Sequence, residues 1–314
     1  MSRPDGDPGA AATGWTAADI PALGGRTYIV TGGNSGLGFE TARELAGHGA
    51  EVILTARDPE KGRAAVERIQ AAHPDARVES RLLDLADLDT VEVFANGIQQ
   101  VDVLINNAGV MMPPRTESAQ GYELQFAVNH LGHFALTGRL LDVLKESADP
   151  RVVTVSSFLH KRGRIHFDDL HGEHKYSRAG YYSQSKLANV VFGLELHRRL
   201  RANGFAVSSL LAHPGYSATN LQSSGPTGVA KLAMKVSNRF MAQEASMGAL
   251  PQLFAATSPD VESGQFIGPD GRKEQKGYPR VVEPLEAARD RELAKRLWDT
   301  SEELTGVAFG LAAR

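Results

Sequence analysis

The sequence predicts one doubly wound α/β domain, a central parallel sheet with helices on both faces. Three observations predict it. Short apolar runs alternate with helical patterns from residue 27 to about residue 268, the rhythm of βαβ units. A glycine-rich loop stands between the first apolar run and the first helical stretch. No linker, internal repeat or low-complexity run divides the 314 residues.

The elements follow in order. Residues 1–24, rich in Gly, Ala, Asp and Pro, read as a flexible tail on which Trp15 and Ile20 offer docking side chains. The domain spans 25–314. Residues 27–30 form a strand, and a helix runs from the glycine loop to about 48. Residues 51–55 are the second strand, and 59–73 a helix with Pro59 in its first turn. Strands at 77–83 and 101–106 bracket a helix at about 87–98. A long helix is expected at 119–145, a strand at 151–156, a helix at 181–202 and a strand at 205–211. A C-terminal helix is expected at about 285–304.

Composition excludes several classes. The net charge is -3, from 34 basic and 37 acidic residues, so nothing draws the chain to nucleic acid or an anionic membrane. Cysteine is absent, which removes disulfides, thiolate metal sites and a cysteine nucleophile. That usage fits a reducing compartment, so a cytoplasmic location is expected. No run reaches about 18 apolar residues, so no membrane anchor is expected. The first 25 residues also lack the basic and apolar regions of a signal peptide.

The loop reads Thr31-Gly-Gly-Asn-Ser-Gly-Leu-Gly38. Gly32, Gly36 and Gly38 let the backbone turn sharply and approach a diphosphate. Asn34, Ser35 and Leu37 supply backbone N–H groups at the start of a helix whose dipole favours an anion. A tight turn packed with small residues is the alternative. The strand before and the helix after favour a dinucleotide site of Rossmann type. At the end of the second strand Arg57 stands where a 2′-phosphate would be read, with Asp58 beside it. A guanidinium suits a phosphate, so NADP(H) is expected ahead of NAD(H).

Tyr182 and Lys186 are four apart on an expected helix and share a face. A cation beside a phenol lowers its pKa and suits it to pass a proton to or from a substrate oxygen. Neither Tyr176 nor Tyr181 has a lysine at that spacing.

Together with Asn106-Asn-Ala-Gly109, Val155-Ser-Ser157 and Pro214-Gly215, these motifs resemble the short-chain dehydrogenase/reductase family over about residues 25–270. The connection from Ser157 to Tyr182-Ser-Gln-Ser-Lys-Leu-Ala-Asn189, and the ending Leu297-Trp-Asp-Thr-Ser-Glu-Glu-Leu304, are most similar to its retinol dehydrogenase branch. The resemblance implies Tyr182 as general acid/base and as a cofactor contact, with Lys186 tuning it and bonding the nicotinamide ribose. It implies Ser157, rather than Ser156, as the serine that orients the substrate oxygen, and Asn129 as the residue that holds a relay water. It also implies cofactor contacts from Asp84 and Leu85 beside the adenine, from Asn107, Ala108 and Gly109 beneath, and from Pro214, Gly215 and Thr219 above the nicotinamide. Taken singly, Asp84 reads equally as a helix cap, Asn106 as a turn residue and Asn129 as a helix amide.

A substrate-covering lid is expected at about 217–242, where Val229, Leu232, Val236 and Phe240 share a helical face. The expected substrate is therefore an apolar or bulky alcohol, ketone or aldehyde. Relatives pair their long helices, which implies a homodimer or homotetramer here. His160, His166, His171 and His174 match no regular ligand spacing, and no metal is expected. The leading reading is an NADP(H)-dependent alcohol–carbonyl oxidoreductase. Its rivals are a non-catalytic dinucleotide-binding scaffold and a reductase of C=C or imine groups, which a product assay separates.

Overall fold

The computed structural model describes residues 14–216 and 244–311. Eight strands form one sheet in the order β3-β2-β1-β4-β5-β6-β7-β8. They are β1 (Thr27–Val30), β2 (Glu51–Ala56), β3 (Arg77–Leu82), β4 (Val103–Asn106), β5 (Arg151–Val155), β6 (Ser208–Ala212), β7 (Phe266–Pro269) and β8 (Pro279–Val281). All neighbours run parallel except β7 and β8. β7 falls at the end of the alternation that the sequence displays and β8 beyond it; both are too short for a readable pattern.

The helices are α1 (Gly36–Gly47), α2 (Pro59–Ala72), α3 (Leu88–Asn96), the single turn α4 (Leu124–Phe126), α5 (Gly132–Lys145), α6 (Arg178–Ala202), α7 (Ala245–Thr257) and α8 (Arg291–Thr305). Alternate side chains of a strand serve opposite faces. Tyr28 and Val30 pack with Leu45, Leu253 and Phe254 on one side, whereas Ile29 packs with Phe134, Leu140 and Phe192 on the other.

Four differences from the expected elements have local causes. The helix expected from 119 begins at Leu124, because Gly121 turns left-handed (φ 83°) and the Glu123 carboxylate caps the Phe126 N–H at 2.7 Å. The strand expected from 205 begins at Ser208, because the Phe205 N–H closes the end of α6 on the Leu200 carbonyl. The C-terminal helix is two pieces. A 3₁₀ turn (Glu286–Arg289) precedes α8, which Asp290 caps through the N–H groups of Glu292 and Leu293. Residues 14–24, read as tail, are docked: Ile20 and Leu23 are buried, and Trp15 meets Phe254 edge-on with centroids 5.2 Å apart.

Trp298 of α8 and Phe309 close over Phe134 of α5 and Phe192 of α6. These four rings thus pack against one another within the chain. Among the described residues no helix is long and apolar enough to cross a membrane. Thr219 and the expected lid at 217–242 lie outside the described residues.

Candidate active site

Strand register gathers the motifs. Val30 pairs with Ile105, Asn106 with Thr154, and Val155 with Ala212. The segments that follow β1, β4, β5 and β6 therefore emerge at one height, on the carboxyl side of the sheet. β1 lies between β2 and β4, where the strand order reverses, and such a switch point opens a crevice for a ligand.

A cleft of about 660 Å³ occupies that crevice. Gly32, Asn34, Ser35, Gly36, Leu37, Gly38, Arg57, Asp84, Leu85, Asn107, Ala108 and Gly109 all line it. Gly36 opens α1 with φ 56°, a conformation that disfavours any side chain. A Cβ on Gly38 would collide with the Gly32 carbonyl. Ser35, the residue before α1, makes no side-chain cap, so the first N–H groups of the helix face the cleft without that partner. This cradle fits a diphosphate.

At the outer end Arg57 and Asp58 both line the wall, and Asp58 is also engaged. Its carboxylate caps α2 through the N–H groups of Glu60 and Lys61, and it pairs with the Lys61 ammonium at 3.2 Å. The Lys61 contacts hold its pKa below the usual carboxylate range. Lys61 and Arg68 also line the cleft. Neither was singled out in the sequence, although 61, 64 or 65, and 68 share one helical face. Arg68 lies over the Phe39 ring, 3.9 Å from its centroid.

Ser157, Asn129, Tyr182, Lys186, Pro214 and Gly215 stand outside the lining of this cleft. Asn129 joins them to it. Its amide oxygen accepts from the Val110 N–H at 2.8 Å, and its amide nitrogen donates to the Val110 carbonyl at 3.0 Å and to the Ser185 hydroxyl at 2.9 Å. It sits in a π-helical turn (Ala127–Leu131), a local widening frequent at functional sites. A Cβ on Gly109 would lie 3.0 Å from the Asn129 amide oxygen and 3.6 Å from Lys186 Nζ, so the loop passes directly over both. Asp84 accepts from the Ala86 N–H at 3.0 Å, and Asn106 turns away from the cleft to Thr137.

The two serines that follow β5 divide. The Ser156 hydroxyl is spent on the Lys186 carbonyl at 2.8 Å, whereas the Ser157 hydroxyl accepts from the Leu159 N–H at 3.3 Å and acts on the Tyr182 phenol, whose pKa it lowers. Tyr176 and Tyr181 are bound elsewhere, to Glu123 and Pro113 and to the Asp169 carbonyl respectively.

The electrostatics correct one expectation. Lys186 does not lower the Tyr182 pKa here. Burial pushes it up to about 12, only partly offset by the Ser157 hydrogen bond. Lys186 is itself buried, which brings its pKa down to about 8. Its ammonium lies 6.0 Å from the Tyr182 ring centroid and donates to the Val155 carbonyl at 3.1 Å. Desolvation, invisible in the residue spacing, is the largest cause.

Above Ser157, His213 and Lys161 converge on Glu274. Lys161 Nζ is 2.7 Å from its carboxylate and His213 Nε2 is 3.3 Å. The His213 contact holds the Glu274 pKa down at about 2. Glu274 adopts φ 55°, a costly conformation for this residue, and the cluster ties the Ser157 segment to the one leading into Pro214 and Gly215.

The family model described as short chain dehydrogenase matches residues 26–228. Retinol dehydrogenase 13 of Homo sapiens is 40% identical over 305 residues, covering 94% of this chain and 89% of that protein. Retinol dehydrogenase 14 of Mus musculus is 42% identical over 301 residues, covering 90% and 86%. The crystal structure of an uncharacterized protein from Mycobacterium paratuberculosis is similar with TM-score 0.81 at 46% identity, covering 95% of this chain and 100% of that one.

Proposed function

The chain belongs to the short-chain dehydrogenase family, and from that premise we propose that it is an NADP(H)-dependent oxidoreductase interconverting an alcohol and a carbonyl. The observation that carries the chemistry is the buried Tyr182 phenol beside the buried Ser157, with the Lys186 ammonium 6.0 Å from the phenol ring. A nicotinamide held in the cleft would supply or accept the hydride. Tyr182 gives its phenolic proton to the carbonyl oxygen in reduction and takes the hydroxyl proton in oxidation. Ser157 donates to the same oxygen and orients it. Lys186 keeps positive charge beside the phenol, fixed by the Val155 carbonyl. Asn129 holds the Val110 backbone, and with it the loop beside Lys186.

NADP(H) is favoured because the Arg57 guanidinium lines the cleft, whereas the carboxylate of Asp58, which lines it too, is committed to capping α2. The names of the relatives point to retinol, so the substrate class proposed is an apolar alcohol or its carbonyl. The test is a screen of apolar alcohols, aldehydes and ketones with NADPH, NADP and NADH, followed by product identification. Reduction of C=C or imine groups with no carbonyl turnover would overturn the proposal, as would dinucleotide binding without turnover of any substrate.

A further inference from the structure

One buried imidazole, unused by the proposed chemistry, joins the glycine loop to the Asn129 turn. His133 lies in the first turn of α5 and is 1% exposed. Its Nδ1 is 3.0 Å from the Asn129 carbonyl oxygen, and its Nε2 is 2.9 Å from the Thr31 hydroxyl. A carbonyl oxygen only accepts, so Nδ1 carries the proton. Burial, aided by the Lys186 charge, holds the pKa at about 3, so the ring is neutral and Nε2 accepts. The Thr31 hydroxyl is therefore its donor. The competing acceptor, the Ile105 carbonyl, is farther away at 3.3 Å.

The Thr31 oxygen in turn accepts from the backbone N–H groups of Asn107 and Ala108, both at 2.9 Å. Donors thus point one way, from the loop through Thr31 and His133 to the Asn129 carbonyl, and successive bonds in such a chain strengthen one another. The Asn129 side chain closes the circuit by holding both backbone groups of Val110. The circuit encloses the loop that passes over Lys186. A phenyl ring in place of the imidazole would fill the same space but would leave Thr31 without its acceptor and the Asn129 carbonyl without this donor.

We infer that His133 is a positioning residue: through Thr31 and Asn129 it sets the 107–110 loop, and hence the spacing between the cofactor cleft and Lys186. The inference rests on the alcohol–carbonyl reading for its kinetic consequence, but the circuit itself can be read without turnover.

The test uses the full-length protein and three substitutions, His133→Phe, Thr31→Val and Thr31→Ser. Nitrogen-15 NMR of histidine-labelled parent is expected to show the Nδ1-protonated tautomer for His133 across about pH 6 to 8. With an apolar ketone and NADPH, His133→Phe is expected to lower kcat about tenfold or more while KM for the ketone changes little. Thr31→Val should match it, the double variant should be no worse than either, and Thr31→Ser should recover most of what Thr31→Val loses. An Nε2-protonated His133, the parent kcat in His133→Phe, or losses that multiply in the double variant would overturn the inference. If His133→Phe does not fold, the tautomer and the two Thr31 variants carry the decision. If the parent turns over no carbonyl, the functional reading fails on its own. The tautomer and NADPH affinity then decide, since both circuit-breaking variants should weaken binding by the same factor.

Discussion

Lys186 Nζ donates to the Val155 carbonyl at 3.1 Å, from a position 3% exposed to solvent. A charge held there by one carbonyl is easily lost, and its pKa stands at about 8. The consequence is a pH limb. Carbonyl reduction needs a protonated Tyr182, present up to about pH 12, and a charged Lys186, lost above about pH 8. The free-enzyme kcat/KM for reduction is therefore expected to fall through about pH 8 as one proton leaves. Lys186→Arg, whose guanidinium does not titrate in this range, should flatten that limb even where it lowers the plateau. A limb at unchanged pH in Lys186→Arg would assign it to another group.

Tyr182→Phe removes the proton donor and leaves the cleft lining intact, because Tyr182 is not part of that wall. Turnover is expected to drop by roughly 10² to 10⁴. NADPH affinity, read by fluorescence titration, should stay close to the parent. Ser157→Ala should cost less in rate and should raise the Tyr182 pKa further, since the Ser157 hydrogen bond is what lowers it. Parental turnover in Tyr182→Phe would remove this residue from the chemistry.

Arg57→Ala is expected to weaken NADPH binding about tenfold or more, the worth of a charge-assisted hydrogen bond, with little change for NADH. Asp58→Ala should behave differently. It removes the cap of α2 and should lower thermal stability without improving the NADPH preference. If Asp58→Ala instead selectively weakened NADH, the carboxylate would be a ribose ligand and the preference would rest on both residues.

What the sequence shows and what it hides divide along physical lines. The glycine loop is legible because its chemistry is backbone chemistry, written in residues that allow φ 56° at Gly36 and close approach at Gly38. Arg57, Tyr182 and Lys186 are legible because they stand at fixed offsets from strand ends and helix turns. The 119–123 start was misread because Gly121 and the Glu123 cap decide it, against a continuous apolar periodicity. The rise of the Tyr182 pKa was hidden because burial is a property of the packed core and not of the four-residue spacing. His133 was missed for a related reason. Its Thr31 partner lies 102 residues away, and on the helix pattern alone His133 reads as one more core side chain.

The buried histidines also set how the fold responds to acid. His130 and His133 are held at about 3 and His160 at about 4, in each case chiefly by desolvation. All three are neutral in the folded protein and titrate near 6.5 when unfolded. Between about 6.5 and 3 the unfolded chain therefore binds more protons, so stability rises with pH and is lost as pH falls. Each histidine contributes up to about 1.4 kcal/mol per pH unit within its window. Glu274, held at about 2, adds loss of the same sign below about 4.5. Thermal or urea unfolding measured from pH 8 down to pH 4 is expected to show its shallowest slope near pH 7, below the folded pKa of Lys186, and a steep decline below about 6. His130 supplies a specific check. Its Nε2 lies 2.9 Å from the Ser301 hydroxyl between Phe126, Phe134 and Phe192. His130→Gln, which keeps a donor but cannot take up the charge, should lose some stability at pH 8 and should make the acid decline shallower. An equally steep decline in that variant would place the proton uptake elsewhere.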